Sequence, residues 1–270
     1  MTLLFPQWQG SGYSERARLR IGAQVWAGLV PPETEVLRVS GDAGPLASGV
    51  RAWAELTEQA HRARNLIAER QPERVVTFGG DCGVALVPAG YLNAQHSDLA
   101  LLWLDAHADL NTPESSPSGA FHGMVLRALL GEGDAKLVNY AEKHFMPEQV
   151  FLLGARDLDP PEQAHANAVR LKHFKVAELS RRPEMLKDAL ELRGFKKLYL
   201  HFDLDALDPS EDVPTCYPTP GGFRLAEVSR LLETLNKAFE LVGLSVTEYA
   251  PPDEDPGPAA KVLELLEPYL

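Results

Sequence analysis

Short apolar runs recur along the chain, and within each the apolar residues are continuous rather than alternating with polar ones. The runs at 74–78, 99–104, 150–153, 198–202 and 241–246 are of this kind. That pattern predicts strands buried on both faces, as in a parallel sheet covered by helices. Longer segments with helical spacing of apolar positions lie between them, at 52–70, 124–130, 185–192, 225–239 and 261–266. Pro72, Pro147, Pro183, Gly131 and Gly194 mark the joins. Alternation of strand and helix predicts an α/β fold on a mainly parallel sheet. The proline-rich stretch 250–258 reads as a loop. No internal repeat or low-complexity segment interrupts the pattern, so residues 1–270 are expected to form a single domain.

Charge narrows the partners. Against 26 Lys and Arg stand 38 Asp and Glu, a formal charge of −12, which argues against nucleic acid or an anionic membrane surface. Two cysteines, Cys82 and Cys216, cannot build a disulfide scaffold. With no secretory leader pattern and no apolar run of spanning length, the expected location is cytoplasmic.

The chemistry sits directly after predicted strands. One strand runs into Asp105-Ala-His107-Ala-Asp109, another into Asp203-Leu-Asp205 with Asp208 beyond, and a third into Gly79-Gly80-Asp81-Cys82. In extended chain, residues two apart share a side, so Asp105, His107 and Asp109 are expected to converge. Ligand crevices of open α/β sheets lie outside the carboxyl ends of the strands, which brings the three clusters together. So many carboxylates could not all stay ionised in a low-dielectric crevice without a cation. Oxygen-rich donors with some imidazole suit Mn²⁺, and two ions sharing a water would lower its pKa toward neutrality. Each carboxylate motif alone would read as a turn or helix cap; their pairing after buried strands favours a metal site.

Taken together, Gly79-Gly-Asp-Cys82, Asp105-Ala-His-Ala-Asp109, Ser118-Gly-Ala-Phe-His-Gly123, Asp203-Leu-Asp-Ala-Leu-Asp-Pro209 and Glu248-Tyr-Ala-Pro251 resemble the ureohydrolase family of arginases, agmatinases and formiminoglutamases. The resemblance implies a three-layer α/β/α sandwich and a two-manganese site holding Cys82, Asp105, His107, Asp109, Asp203 and Asp205. It further implies hydrolysis of a guanidino carbon–nitrogen bond. It gives His122, Glu248 and Asp109 catalytic duties: His122 near the departing amine, Glu248 on the guanidinium. The run Asn111-Thr-Pro113 with Ser116 and Ser118 resembles the arginase segment that holds an α-carboxylate, and Asp159 matches a residue facing the α-amino group. That points to a guanidino amino acid, L-arginine first, and away from agmatine. A homo-oligomer is compatible with the family, although only 22 residues follow Glu248.

Three positions depart from the family pattern. Cys82 stands where a histidine ligand is usual, and a thiolate is softer and must first lose a proton. A weakened or partly empty first metal position is therefore expected. A cysteine here also resembles enzymes acting on Nω-hydroxy-L-arginine, so that substrate is a rival to arginine, as is formiminoglutamate or another amidine. Ala120 and Tyr217 replace polar residues and could reshape the pocket. His201 reads as a packed strand histidine or as support for Cys82 or a metal. Two non-metal readings stand beside these: a cysteine hydrolase using Cys82, and a binding protein that has lost its metal.

Overall fold

The computed structural model describes residues 1–270. Ten strands form in chain order: β1 (Thr2–Phe5), β2 (Glu35–Val36), β3 (Leu46–Ala47), β4 (Val50–Arg51), β5 (Val75–Gly79), β6 (Leu99–Leu104), β7 (Val150–Leu153), β8 (Lys172–Phe174), β9 (Lys197–Asp203) and β10 (Glu240–Thr247). The helices are α1 (Arg18–Leu29), α2 (Trp53–Arg70), α3 (Leu86–Gln95), α4 (Val125–Leu129), α5 (Ala135–Val138), α6 (Pro160–Ala168), α7 (Val176–Arg181), α8 (Glu184–Leu192), α9 (Leu225–Asn236) and α10 (Gly257–Leu266). Eight strands make one sheet in the order β2-β1-β5-β10-β9-β6-β7-β8, every pair parallel, while β3 and β4 form a small antiparallel hairpin apart from it.

Each central strand buries both faces, which is why its sequence is apolar throughout. On β6, Leu101 and Trp103 join the core shared with α2, α3 and α4, while Leu102 and Leu104 join the opposite core with α1, α8, α9 and α10. Three layers result, as expected. Helix α2 presents Leu56, Ala60, Ala63 and Ile67 to its core, the stripe that made it readable. None of the helices is long and apolar enough to cross a membrane.

Several boundaries differ from the sequence reading. The helix expected at 124–130 is a 3-10 turn over Phe121–Met124 followed by α4, and that expected at 225–239 stops at Asn236. Helix α10 begins at Gly257, so the loop expected over 250–258 ends two residues early, with a proline in the first turn where its missing N–H costs nothing. Strands β1, β2, β3, β4 and β8 and helices α1, α3, α5, α6 and α7 were not anticipated. Helix α3 explains one such miss: eight of its ten residues are buried, so no polar face marks it.

Candidate metal centre and cleft

Strands β5, β6, β9 and β10 lie side by side, and their carboxyl ends deliver the motifs to one place. The glycine pair after β5 is a packing requirement. A Cβ on Gly80 would stand 1.6 Å from the Gln7 carbonyl oxygen. That close approach lets Asp81 N–H donate to Gln7 O (2.9 Å). The buried Asp81 carboxylate then accepts from Gln7 Nε2 (2.7 Å), Gly10 N (2.8 Å) and Gly83 N (3.0 Å). Burial, and next the charge of Glu248, push Asp81 up to about 6. Asp81 therefore ties the 7–10 segment to the site, a role that its place in the motif left unread.

Convergence of Asp105, His107 and Asp109 has a different origin from the one expected. Strand β6 ends at Leu104, and the chain then turns, with Asp109 in the left-handed region at φ 52°. The turn parts the three residues into two donor sets. In one, candidate ligand atoms of Asp105, His107 and Asp205 lie within 4.8 Å of one another; in the other, those of Cys82, Asp105, Asp109 and His201 do. Asp105 belongs to both. Asp203 adjoins the second set, accepting from Cys82 Sγ at 3.0 Å.

Without a cation this cluster is electrostatically unfavourable. Burial, then the charge of Asp205, push Asp105 up to about 7, and Asp109 and Asp203 are driven well above the ordinary carboxylate range by burial and then their carboxylate neighbours. Burial acts the same way on Asp205, but His107 at 3.0 Å outweighs it and holds Asp205 low. Burial and then the charges of Asp203 and Asp109 raise the Cys82 thiol far above its usual value. Asp109 Oδ2 and Glu248 Oε2 are buried with no hydrogen-bond partner. Unpaired acceptors in so acidic a pocket fit a bound divalent cation, and the residues present suit one. The same field, burial first and then the charges of Asp203 and Asp109, disfavours Cys82 as a thiolate nucleophile even with His122 beside it.

Glu248 follows β10 and also takes left-handed backbone, φ 63°, fixed by its N–H donating to Gly80 O at 2.7 Å. Its Oε1 lies 3.4 Å from His122 Nδ1. Burial pulls the His122 imidazole down, but the hydrogen bond and charge of Glu248 outweigh it, so His122 titrates above its ordinary value. His122 lies inside the 3-10 turn Phe121–Met124, whose cap position is Ala120. Tyr217 stacks on His122 with centroids 5.3 Å apart and turns an edge to His107. His201 is wholly buried, and burial pulls it down to about 3, which keeps it neutral.

A cleft of about 240 Å³ opens above these groups, lined among others by Asp109, Asn111, Ser116, Ser118, His122 and Asp159. Asn111 Nδ2 donates to Asp159 Oδ2 at 2.9 Å, and Ser116 and Ser118 hydroxyls stand 3.4 Å apart. Glu162 was missed by the sequence reading. It accepts from the N–H of Leu110 and of Asp159, both at 2.8 Å, joining the turn after Asp109 to the start of α6. Its signal was present in Asp159-Pro-Pro-Glu162, a capping box with proline in the first turn.

A profile of the arginase family matches residues 16–264. An arginase of Staphylococcus aureus (strain MRSA252) is 33% identical over 211 residues, 76% of this chain and 70% of its own length. Another from Staphylococcus aureus (strain COL) is matched over 60% of its length. Among solved structures, Entamoeba histolytica arginase in complex with L-ornithine is similar with a TM-score of 0.82, covering 99% of this chain and 96% of that one. At 23% identity that likeness speaks to the fold. Bacillus subtilis arginase is similar at TM-score 0.80 and 25% identity, with 100% and 97% covered.

Proposed function

The chain belongs to the arginase family, and on that premise we propose that it is a metal-dependent hydrolase cleaving the guanidino carbon–nitrogen bond of L-arginine, or of a related guanidino amino acid, to ornithine and urea. One juxtaposition supports the reading most strongly: two donor sets sharing the buried Asp105 lie beside the Glu248–His122 pair. In this reading Cys82, Asp105, Asp109 and Asp203 would hold one divalent cation, and Asp105, His107 and Asp205 the other. Manganese is our choice of ion for so oxygen-rich a site. When bound, such a pair supplies a water acidified toward neutral pH.

The remaining work falls to side chains. Glu248 Oε2, which has no partner of its own, accepts from the substrate guanidinium and fixes its plane. Asn111, Ser116 and Ser118 receive the α-carboxylate, and Asp159 the α-amino group. The water oxygen joins the guanidino carbon, the bond to the side-chain nitrogen breaks, and that nitrogen needs a proton to leave as an amine. His122, kept protonated more readily by Glu248, is placed to deliver it. All 270 residues act as one domain in this scheme.

A second reading is favoured by the thiol at Cys82. Nω-hydroxy-L-arginine carries a less basic guanidine, whose carbon is more easily attacked when unprotonated, and a weaker metal position would serve it. Turnover of L-arginine, Nω-hydroxy-L-arginine, agmatine and formiminoglutamate by manganese-loaded protein, with a chelated control, decides between them. Chelator-sensitive hydrolysis of arginine is the expected result. Preference for hydroxyarginine would reassign the substrate, and no turnover of any of the four would refute the proposal.

A further inference from the structure

His201 is the one histidine of the region with no duty in the scheme above. It stands in a row crossing three neighbouring strands, where Trp103 on β6 and Ser245 on β10 are its register partners. Its ring stacks on the Trp103 indole, centroids 3.7 Å apart and planes at 14°, and its Nδ1 lies 2.9 Å from Ser245 Oγ. Those two contacts fix both the position and the rotation of the imidazole. Nε2 is then left 3.5 Å from Thr247 Oγ1 and 3.9 Å from Asp105 Oδ2.

A packed core histidine ordinarily satisfies both ring nitrogens. Here Nε2 has only a hydroxyl at the outer limit of hydrogen bonding, inside a fully buried site. A second, independent observation points the same way. Asp109, also buried, has Oδ2 with no partner at all, and its ligand atoms share a 4.8 Å cluster with those of His201, Cys82 and Asp105.

We propose that His201 is a direct metal ligand, its Nε2 joining Cys82 Sγ and the carboxylates of Asp105 and Asp109 around one divalent cation. The chemistry favours it. That cluster is rich in carboxylates, and a neutral imidazole adds a donor without adding charge. Ser245 acts as a positioning residue, because a hydrogen bond at one ring nitrogen sets the tautomer that leaves the other free to bind metal. Trp103 supports the same cluster twice, stacking on His201 while its Nε1–H donates to Asp105 Oδ2 at 3.1 Å. The inference rests on the metal reading of the previous subsection and adds to it a nitrogen ligand from β9.

Loading with Co²⁺ tests it without reference to turnover, because a thiolate ligand gives a sulfur-to-cobalt absorption band that reports the Cys82 position. Wild-type protein is expected to take up two ions and to show the band. His201→Phe, which keeps the ring volume and the stack on Trp103, is expected to lose one ion together with the band. Adding Cys82→His to that variant supplies another imidazole to the same cluster and is expected to restore the second ion. Two ions and an unchanged band in His201→Phe would overturn the proposal, as would a single ion and no band in wild type. No cobalt uptake by wild type would overturn the metal reading as well, so the two failures are distinguishable. Should His201→Phe not fold, wild type labelled with ¹⁵N-histidine and titrated with Zn²⁺ gives the answer. The ring nitrogens of His107 and His201 should both shift, and an unmoved His201 refutes ligation.

Discussion

Replacing Glu248 by Gln removes one charge from the site and almost no volume, and the structure sets the size of the effect. The side chain is 1% exposed, Oε1 faces His122 at 3.4 Å and Oε2 has no partner. In the proposed mechanism Oε2 is therefore the atom that accepts from the substrate. A hydrogen bond to a charged group contributes about 1.5–3 kcal/mol net, and losing it lowers kcat/KM by about 10- to 150-fold. The backbone at φ 63° is held by Gly80 O and is unaffected by the change. The variant is expected to fold, since almost no volume is lost. A second readout follows from His122, whose raised pKa depends on the hydrogen bond and charge of Glu248. In Glu248→Gln the limb of the pH–rate profile governed by His122 moves to lower pH. Steady-state kinetics on arginine across pH check both. A variant within about threefold of wild type, with an unmoved profile, would falsify the assignment of Glu248 to the guanidinium.

Three further outcomes follow. Chelation should lower the melting temperature of the loaded protein: saturation at about 100 times Kd contributes about 2.7 kcal/mol, or about 5 °C for a chain of this size. Equal melting curves with and without manganese would count against a folded-state site. Gly80→Ala drives a Cβ to 1.6 Å from the Gln7 carbonyl, a backbone atom with no room to yield, and should cost about 3 kcal/mol in urea unfolding; an unchanged midpoint would show that the Gln7 segment moves freely. His173 is lowered below 6.5 by burial, and its Nε2 is buried without a partner. Because the unfolded chain binds that proton more readily, the stability linked to His173 is complete above pH 6.5 and declines as pH falls below it. His173→Gln should therefore flatten the acid side of a stability–pH curve, and an identical slope in the variant would remove His173 from the explanation.

Much of this molecule was legible in its amino-acid order, for reasons that are local. Strands buried on both faces must be apolar at every position, so β5, β6, β7, β9 and β10 announced themselves. Parallel connection then placed their carboxyl ends, and the carboxylates that follow them, at one edge. The family motifs fell on those same ends. Short edge strands such as β2 and β8 carry too few residues for a pattern, and α3, buried on nearly every side, has no polar face to set its period.

What only the tertiary structure decided is how the motif residues are shared out. Left-handed backbone at Asp109 and Glu248, not extended spacing, aims their carboxylates. Asp105 serves two donor sets because the turn after β6 sends His107 toward Asp205 and Asp109 toward Cys82. His201 meets the cluster because β9 lies between β6 and β10, with Trp103 and Ser245 in register on either side. Sequence specifies which donors follow which strands. Backbone dihedrals and strand register, set by packing across the whole sheet, determine which of them meet.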